Sequence, residues 1–269
     1  MEQILVIDAH THVFPDKIAR KASESIGHFY GIGMRYDGRV ETLVDLSGAC
    51  PIARSIVFST ATHPEQVRAI NRFITATVSS HPQFAGLGTL HPGLSGDEIR
   101  AETDYMVSAG LRGIKLHPDF QELYPDAPDM DPIYEAALER GLCFVVHAGD
   151  ERKPYSHPAR IAEVARRYPD LSLVAAHMGG YTKWDVAYDL LAPYRNVSVD
   201  TSSTMGFVEP DKMVRLIRSF GADRVLFGSD YPMWNPCDEL KSLLALPLET
   251  AERQAILYGN AAKLFRLDL

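Results

Sequence analysis

Histidines and acids at the ends of short apolar runs are the residues of this sequence best placed to do chemistry. The 269 residues include ten histidines. Two of them stand in Asp8-Ala9-His10-Thr11-His12, where the first apolar run ends. Residues i and i+2 of an extended chain project to the same side, so His10 and His12 can present two imidazoles to one point. Lys115 lies in Gly113-Ile114-Lys115-Leu116-His117-Pro118, and His147 follows Phe144-Val145-Val146. His177 follows Val174-Ala175-Ala176, and Asp230 closes Leu226-Phe227-Gly228-Ser229-Asp230. Each of these alone reads as well as a helix cap or a satisfied core group. Side by side they would be costly to bury without a partner, and a metal ion supplies that partner. Neutral imidazoles with a carboxylate suit Zn²⁺ or another divalent first-row ion.

Eight β-like runs would have to carry these residues to one place: 4–7, 56–58, 84–90, 113–116, 143–146, 171–176, 197–199 and 225–227. Their ends recur at roughly thirty residues, the size of a βα unit, with the first gap about twenty residues longer. Helical spacing fills the intervals, as in Val67, Ile70, Ile74 and Val78, or Met213, Leu216, Ile217 and Phe220. Pro64, Pro132, Pro158 and Pro210 fall where first helical turns would begin, a position that tolerates a missing N–H. The runs are continuously apolar, as strands covered on both faces should be. This pattern predicts an α/β fold, a (β/α)8 TIM barrel in which residues 1–269 form a single domain. A doubly wound open sheet is the alternative, and it lacks a GxGxxG after the first strand. Strand ends of a barrel share one mouth, so His10, His12, Lys115, His147, His177 and Asp230 would meet there. Segment 14–38, with His28, Phe29, Tyr30 and Met34, is an insertion after the first strand with poor periodicity. It reads equally as a lid or pocket wall and as an irregular surface segment.

Composition narrows the function classes. A 46% hydrophobic and 23% charged chain is an ordinary globular one, which excludes disorder, coiled coil and collagen. The net charge of −8, with no Lys/Arg run longer than two, argues against nucleic acid. The longest apolar stretch, 142–146, is far below the ~20 residues of a membrane helix. The first residues lack the basic region and apolar length of a signal peptide. Cys50, Cys143 and Cys237 cannot all pair and show no CxxC spacing, so a cytoplasmic, reduced protein is expected. The expected partner is a small-molecule substrate; a homo-oligomer stays open, with no residue marking an interface.

With the HxH, the Gly-Ile-Lys-Leu-His-Pro, the Val146-His147-Ala148-Gly149, the Ala176-His177-Met178-Gly179-Gly180 and the Phe227-Gly228-Ser229-Asp230-Tyr231-Pro232 in place, the chain resembles the amidohydrolase superfamily. It is most similar to the branch that includes aminocarboxymuconate-semialdehyde decarboxylase, and the resemblance extends through Ile256 to Phe265. It implies that His10, His12 and His147 bind the metal with Asp230 as a close or direct ligand. His177 would act on substrate or water in a one-metal site. It would join Lys115, as a carbamate, in holding a second ion in a two-metal site, and one ion is favoured. The deoxyribonuclease branch would have Glu in place of Lys115 and Glu-Thr-Asp in place of Gly228-Ser229-Asp230, so nuclease activity is not expected.

The leading expectation is hydrolysis of an amide, lactone or ester of a small carboxylate-type substrate. A dication held by neutral imidazoles brings the pKa of water to ~7; Asp230 would take that proton and pass it to the leaving group, and His177 would donate to the oxyanion. The alternative is non-oxidative decarboxylation of an unsaturated or aromatic acid, which uses the same ligands; Lys115 tilts the reading towards hydrolysis. A non-catalytic metal-binding barrel is the remote third. Substrate contacts are expected from Lys115, His117, Arg152, Tyr231 and Trp234. Lys153, Trp184, Ser202, Ser203, Thr204 and His91 are further candidates by position.

Overall fold

The computed structural model describes residues 5–268. Ile4, where the first expected strand begins, lies outside the described residues. Eight parallel strands follow in chain order: β1 (Val6–His12), β2 (Ile52–Phe58), β3 (Phe84–Gly86), β4 (Gly113–Leu116), β5 (Cys143–Val146), β6 (Leu173–Ala175), β7 (Val197–Asp200) and β8 (Val225–Leu226). Ladders join β1-β2-β3 and β4 through β8. Two bridges, Gly88 with Ile114 and Thr11 with Tyr231, close the ring. The (β/α)8 barrel is the expected fold.

The strands are apolar throughout because alternate residues enter different cores. Ile7, Ile56, Phe58, Cys143, Val145, Val174 and Leu226 pack inside the barrel, where Ala261 and Phe265 join them. Val57, Ile114, Phe144, Val146, Leu173 and Val199 face the helices. Helices Val67–Ser80, Gly96–Ser108, Asp131–Glu139, Pro158–Arg167, Trp184–Leu191, Pro210–Phe220 and Pro236–Leu244 form the outer layer. Pro158 and Pro210 are first residues of their helices, Pro132 the second, and Pro64 opens a 3₁₀ turn leading into Val67–Ser80.

The insertion is more regular than its sequence suggests. Asp16–Tyr30 is a helix, stopped by Gly31 at φ 68°. Its buried residues are Ala19, Ser23, Gly27 and Tyr30, spaced helically but mostly small. Such a face packs closely yet carries little apolar signal, which is why periodicity missed it. A correction concerns the cysteines. Cys50, beyond helix Val40–Gly48, and Cys237, in helix Pro236–Leu244, are joined as a disulfide, and buried Cys143 is free. Three cysteines could not all pair, but two distant in sequence could. Among the described residues no helix is long and apolar enough to cross a membrane.

Candidate active site

The first strand aims its histidines through an irregularity. Ile7 and Ala9 face the barrel interior. The register of β1 on β2 then shifts between Asp8 and Thr11, which lets His10 and His12 turn inward as well. Extra residues of this kind re-aim side chains beside active sites. A Cβ on Gly228 would lie 2.8 Å from the His10 Cβ, so the glycine of the Phe-Gly-Ser-Asp segment makes room for this ring. Non-glycine residues at positive φ cluster at the same mouth: His177 at 60°, Met178 at 52°, Ser203 at 45° and Asp230 at 63°. Such conformations cost about 1–3 kcal/mol each and persist only where surroundings enforce them. Here the Asp200 carboxylate accepts from the His177 N–H (3.0 Å), and the His10 carbonyl accepts from the Asp230 N–H (2.8 Å).

Three donor atoms converge on one point. His10 Nε2 is 3.3 Å from His12 Nε2 and 3.4 Å from Asp230 Oδ1, and His12 Nε2 is 3.5 Å from the same oxygen. Ligands ~2.0 Å from a tetrahedral ion are separated by about 3.3 Å, so the triangle fits a first-row dication. His177 belongs to the same group, with ligand atoms of His10, His177 and Asp230 within 4.8 Å of one another. Lys115 is fully buried and its Nζ donates to His10 Nε2 at 3.1 Å. Burial lowers its ammonium to about 8 against the upward pull of Asp230 and Asp200.

Partners fix most of these groups. His10 Nδ1 donates to Asp200 Oδ2 at 2.8 Å; a metal-binding imidazole usually gives its other N–H to such a carboxylate, which fixes its tautomer and orientation. Burial pushes the Asp200 carboxyl up, but His10 and His177 outweigh it and hold it at about 2. The Ser202 hydroxyl donates to Asp200 and lies 3.1 and 2.9 Å from the Nδ1 atoms of His10 and His177. Asp230 Oδ2 accepts from the Ser203 hydroxyl, which in turn accepts from the Trp234 indole at 2.9 Å. Burial would raise Asp230 too, yet His10, His12 and His177 keep it well below the usual carboxylate range. Burial presses His12 down to about 3 and His177 to about 4, and holds His117 and His147 well below the ordinary value. These four rings are neutral near pH 7, the form that binds metals.

The other side of the mouth is built differently. His147 Nδ1 is 2.9 Å from His177 Nε2, so His147 sits one ring beyond the triangle. Its opposite nitrogen is 3.4 Å from the Tyr30 hydroxyl and 3.7 Å from Asp119 Oδ2. His117 stacks on His147 at 4.0 Å and is 3.1 Å from the Tyr30 hydroxyl. His117, Asp119 and His147 form a second buried cluster of potential ligands. Helix Asp16–Tyr30 therefore lies over the mouth, the lid reading of the insertion.

Two expected substrate contacts are corrected. Arg152 is not free for a carboxylate: Asp150 accepts from it at 3.0 and 3.1 Å, and the Tyr30 carbonyl at 3.1 Å. It is a strut between the loop after β5 and the lid. Tyr231 turns away from the mouth, its hydroxyl donating to the Arg39 carbonyl at 2.8 Å. Trp234, Ser202 and Ser203 hold site residues, as described; Trp184 donates to the His177 carbonyl at 3.0 Å, and Thr204 to that of Ser202. Lys153 pairs with Glu122 at 2.7 Å, and His91 makes a turn contact with Gly93. Sequence reading missed Asp200 and Asp119, and had Tyr30 only as part of a lid or pocket wall. Asp200 ended a strand just as Asp230 nearly does, and that signal was there to use.

The chain belongs to the amidohydrolase family, whose model matches residues 7–267. γ-Resorcylate decarboxylase of Polaromonas sp. (strain JS666) is 23% identical, with 85% of this chain and 84% of that protein covered. L-Fucono-1,5-lactonase of Burkholderia ambifaria is 34% identical, but the match covers only 46% of this chain and 47% of that protein. A 5-carboxyvanillate decarboxylase of Novosphingobium aromaticivorans, solved with manganese and 4-hydroxy-3-methoxy-5-nitrobenzoic acid, has the same fold. Its TM-score is 0.79 at 17% identity, covering 99% of this chain and 97% of that one. The curated relative matched along most of its length is a decarboxylase, whereas the lactonase match covers less than half of either chain. That overturns the expected hydrolysis and the weight given to Lys115 as a mark of it. The error has a chemical cause: both reactions use the same ligands, so strand-end residues cannot separate them.

Proposed function

We propose that this barrel, acting as one domain, is a metal-dependent non-oxidative decarboxylase of an aromatic or unsaturated carboxylic acid. The observation that carries the choice of reaction is the likeness to γ-resorcylate decarboxylase over 85% of this chain and 84% of that protein. The triangle of His10, His12 and Asp230, with the buried Lys115 beside it, would supply the metal site that such a reaction needs. His10, His12 and Asp230 would hold one divalent ion, with His177 and His147 next in reach; imidazole and carboxylate donors accept Mn²⁺ as well as Zn²⁺. A dication there supplies an anchor for the substrate carboxylate and a sink for the charge left on carbon as CO₂ departs.

The remaining work falls to the side chains. Lys115 Nζ faces the point where the carboxylate would sit and pairs with it as an ammonium. The C–CO₂ bond breaks, and a proton from solvent must form the new C–H bond. Asp230 and His177, with Oδ2 and Nδ1 3.9 Å apart, can carry it inward. Ser203 and Trp234 keep Asp230 in the orientation that this transfer needs. Tyr30 and the lid exclude bulk water from the carbanion-like carbon.

The test is incubation of Mn²⁺-loaded protein with γ-resorcylate (2,6-dihydroxybenzoate) and related hydroxybenzoates in D₂O. We expect CO₂ release with one deuterium on the ring carbon. Absence of CO₂ from the whole panel, with metal bound, would sink the reading.

A further inference from the structure

The chamber directly over the ligand triangle, walled by Tyr30, Met34, His147, His177 and Met233, holds only about 20 Å³. That is room for about one water molecule. Beside it, between helix Asp16–Tyr30 and helix Val67–Ser80, lies a cavity of about 750 Å³. His12, Ile26, His117 and Phe120 line both spaces, which therefore adjoin. Its far walls carry Phe14, Ile18, Phe29, Ile70 and Phe73. Ile18, 51% exposed, stands on the wall of this cavity and is accessible to an occupant. Lys153 on the rim is engaged by Glu122 at 2.7 Å, which argues against an anionic occupant.

We propose that this groove receives the apolar body of the substrate, so that the acid handled here is amphipathic: a carboxylate head at the ligand triangle and an extended alkyl or multi-ring tail between the two helices. The proposal rests on the carboxylic-acid reading of the site. Its physical basis is the mismatch in volume. A cavity of this size falls in the range of ~300–1,000 Å³ that takes drug-sized ligands, several times what one substituted ring fills. Only a group as small as the carboxylate fits over the triangle, so the body that bears it must extend into the adjoining space, where apolar side chains supply most of the surface. Phe14 and Ile18 come from the insertion and its helix, Ile70 and Phe73 from the helix after β2. The segment that looked least regular in sequence thereby sets the tail specificity.

The test separates binding from reaction. Benzoate and 4-hexylbenzoate are titrated into Mn²⁺-loaded protein by calorimetry; neither has to turn over. Each methylene that the groove covers should tighten binding about fourfold, hence ~60-fold for three. Ile70→Asp and Ile18→Asp should abolish that gain while leaving benzoate affinity unchanged. Ile18, being exposed, keeps the test open should Ile70→Asp fail to fold. Equal affinities for the two acids, or a gain that survives Ile18→Asp, would overturn the proposal. So would light scattering that shows Ile18→Asp releasing monomers from a larger species at unchanged affinity, because a second copy would then cover the groove. A groove that fails leaves CO₂ release from γ-resorcylate intact. A reaction that fails leaves the hexyl gain intact.

Discussion

The two halves of the barrel mouth are finished to different standards. At the ends of β1, β6, β7 and β8, His10, His177, Asp200 and Asp230 engage one another through both ends of nearly every side chain, with Ser202, Ser203 and Trp234 behind them. Asp8 Oδ2, just before them on β1, is an exception, without a partner among the described residues. Beyond β4 and β5, His117 Nδ1 and Asp119 Oδ1 are buried with no partner among the described residues, and Tyr30 touches two rings at once. Buried polar atoms left unsatisfied cost about 1–3 kcal/mol each. A network complete in itself suits a site that must hold one ion in one geometry. A half with spare donors and acceptors, beside a large cavity, suits a ligand that comes and goes.

Removing a member of the finished half should have the largest effect. His10→Ala takes away a corner of the triangle and the partner of Asp200, so metal content and turnover should both fall to background, measured by elemental analysis and CO₂ release. His117→Ala should leave metal content unchanged and raise KM. If both variants lose metal alike, the division between the halves is wrong. Asp200→Asn keeps the shape but weakens the hold on His10, and should cost 10–100-fold in metal affinity, the usual cost of removing such a partner.

Acid should weaken the metal-free protein by a smaller amount. His12, His117, His147 and His177 have native pKa values below the unfolded 6.5, so the unfolded chain binds protons first and stability falls as pH drops from 6.5 towards 4. Asp8 and Asp119, raised to about 6, and Glu239, raised to about 8, act in the opposite sense, because their native forms take up protons first. The four rings outweigh these three carboxyls, and Asp200 and Asp230, held below the usual carboxylate range, add to the loss near pH 4, so the net effect of acid is a fall in stability. Urea melts at several pH values measure it, and Asp119→Asn should steepen the slope. A stability that rises on acidification would contradict the neutral-ring description. The smallest effect belongs to Tyr30→Phe. Losing the hydroxyl that links the lid to His117 and His147 should cost about 1 kcal/mol, seen as a severalfold fall in kcat/KM. No change would mean that the lid does not communicate with the rings.

Much of this architecture was legible because it depends on local rules. The recurrence of βα units, prolines in first turns and strand-end histidines follow from chain geometry and side-chain type within a few residues. So does the pairing of His10 with His12. The insertion helix escaped because Ala19, Ser23 and Gly27 pack by being small rather than apolar. Arg152 and Tyr231 were misplaced because a side chain's direction is set by the partners it finds, Asp150 and the Arg39 carbonyl, and not by its neighbours in sequence.

What the sequence determined by itself was the barrel and the kind of chemistry its mouth could hold. Only the closed ring decided which atoms face each other. Asp200 reaches His10 across 190 positions, and Tyr30 reaches His147 across 117. The Cys50–Cys237 bond likewise spans 187 positions. Periodicity reports which face of an element is buried, a property of one segment and its own repeat. Contacts between distant segments depend on where strand eight meets strand one and on how a helix lies across the opening. No local spacing encodes those distances.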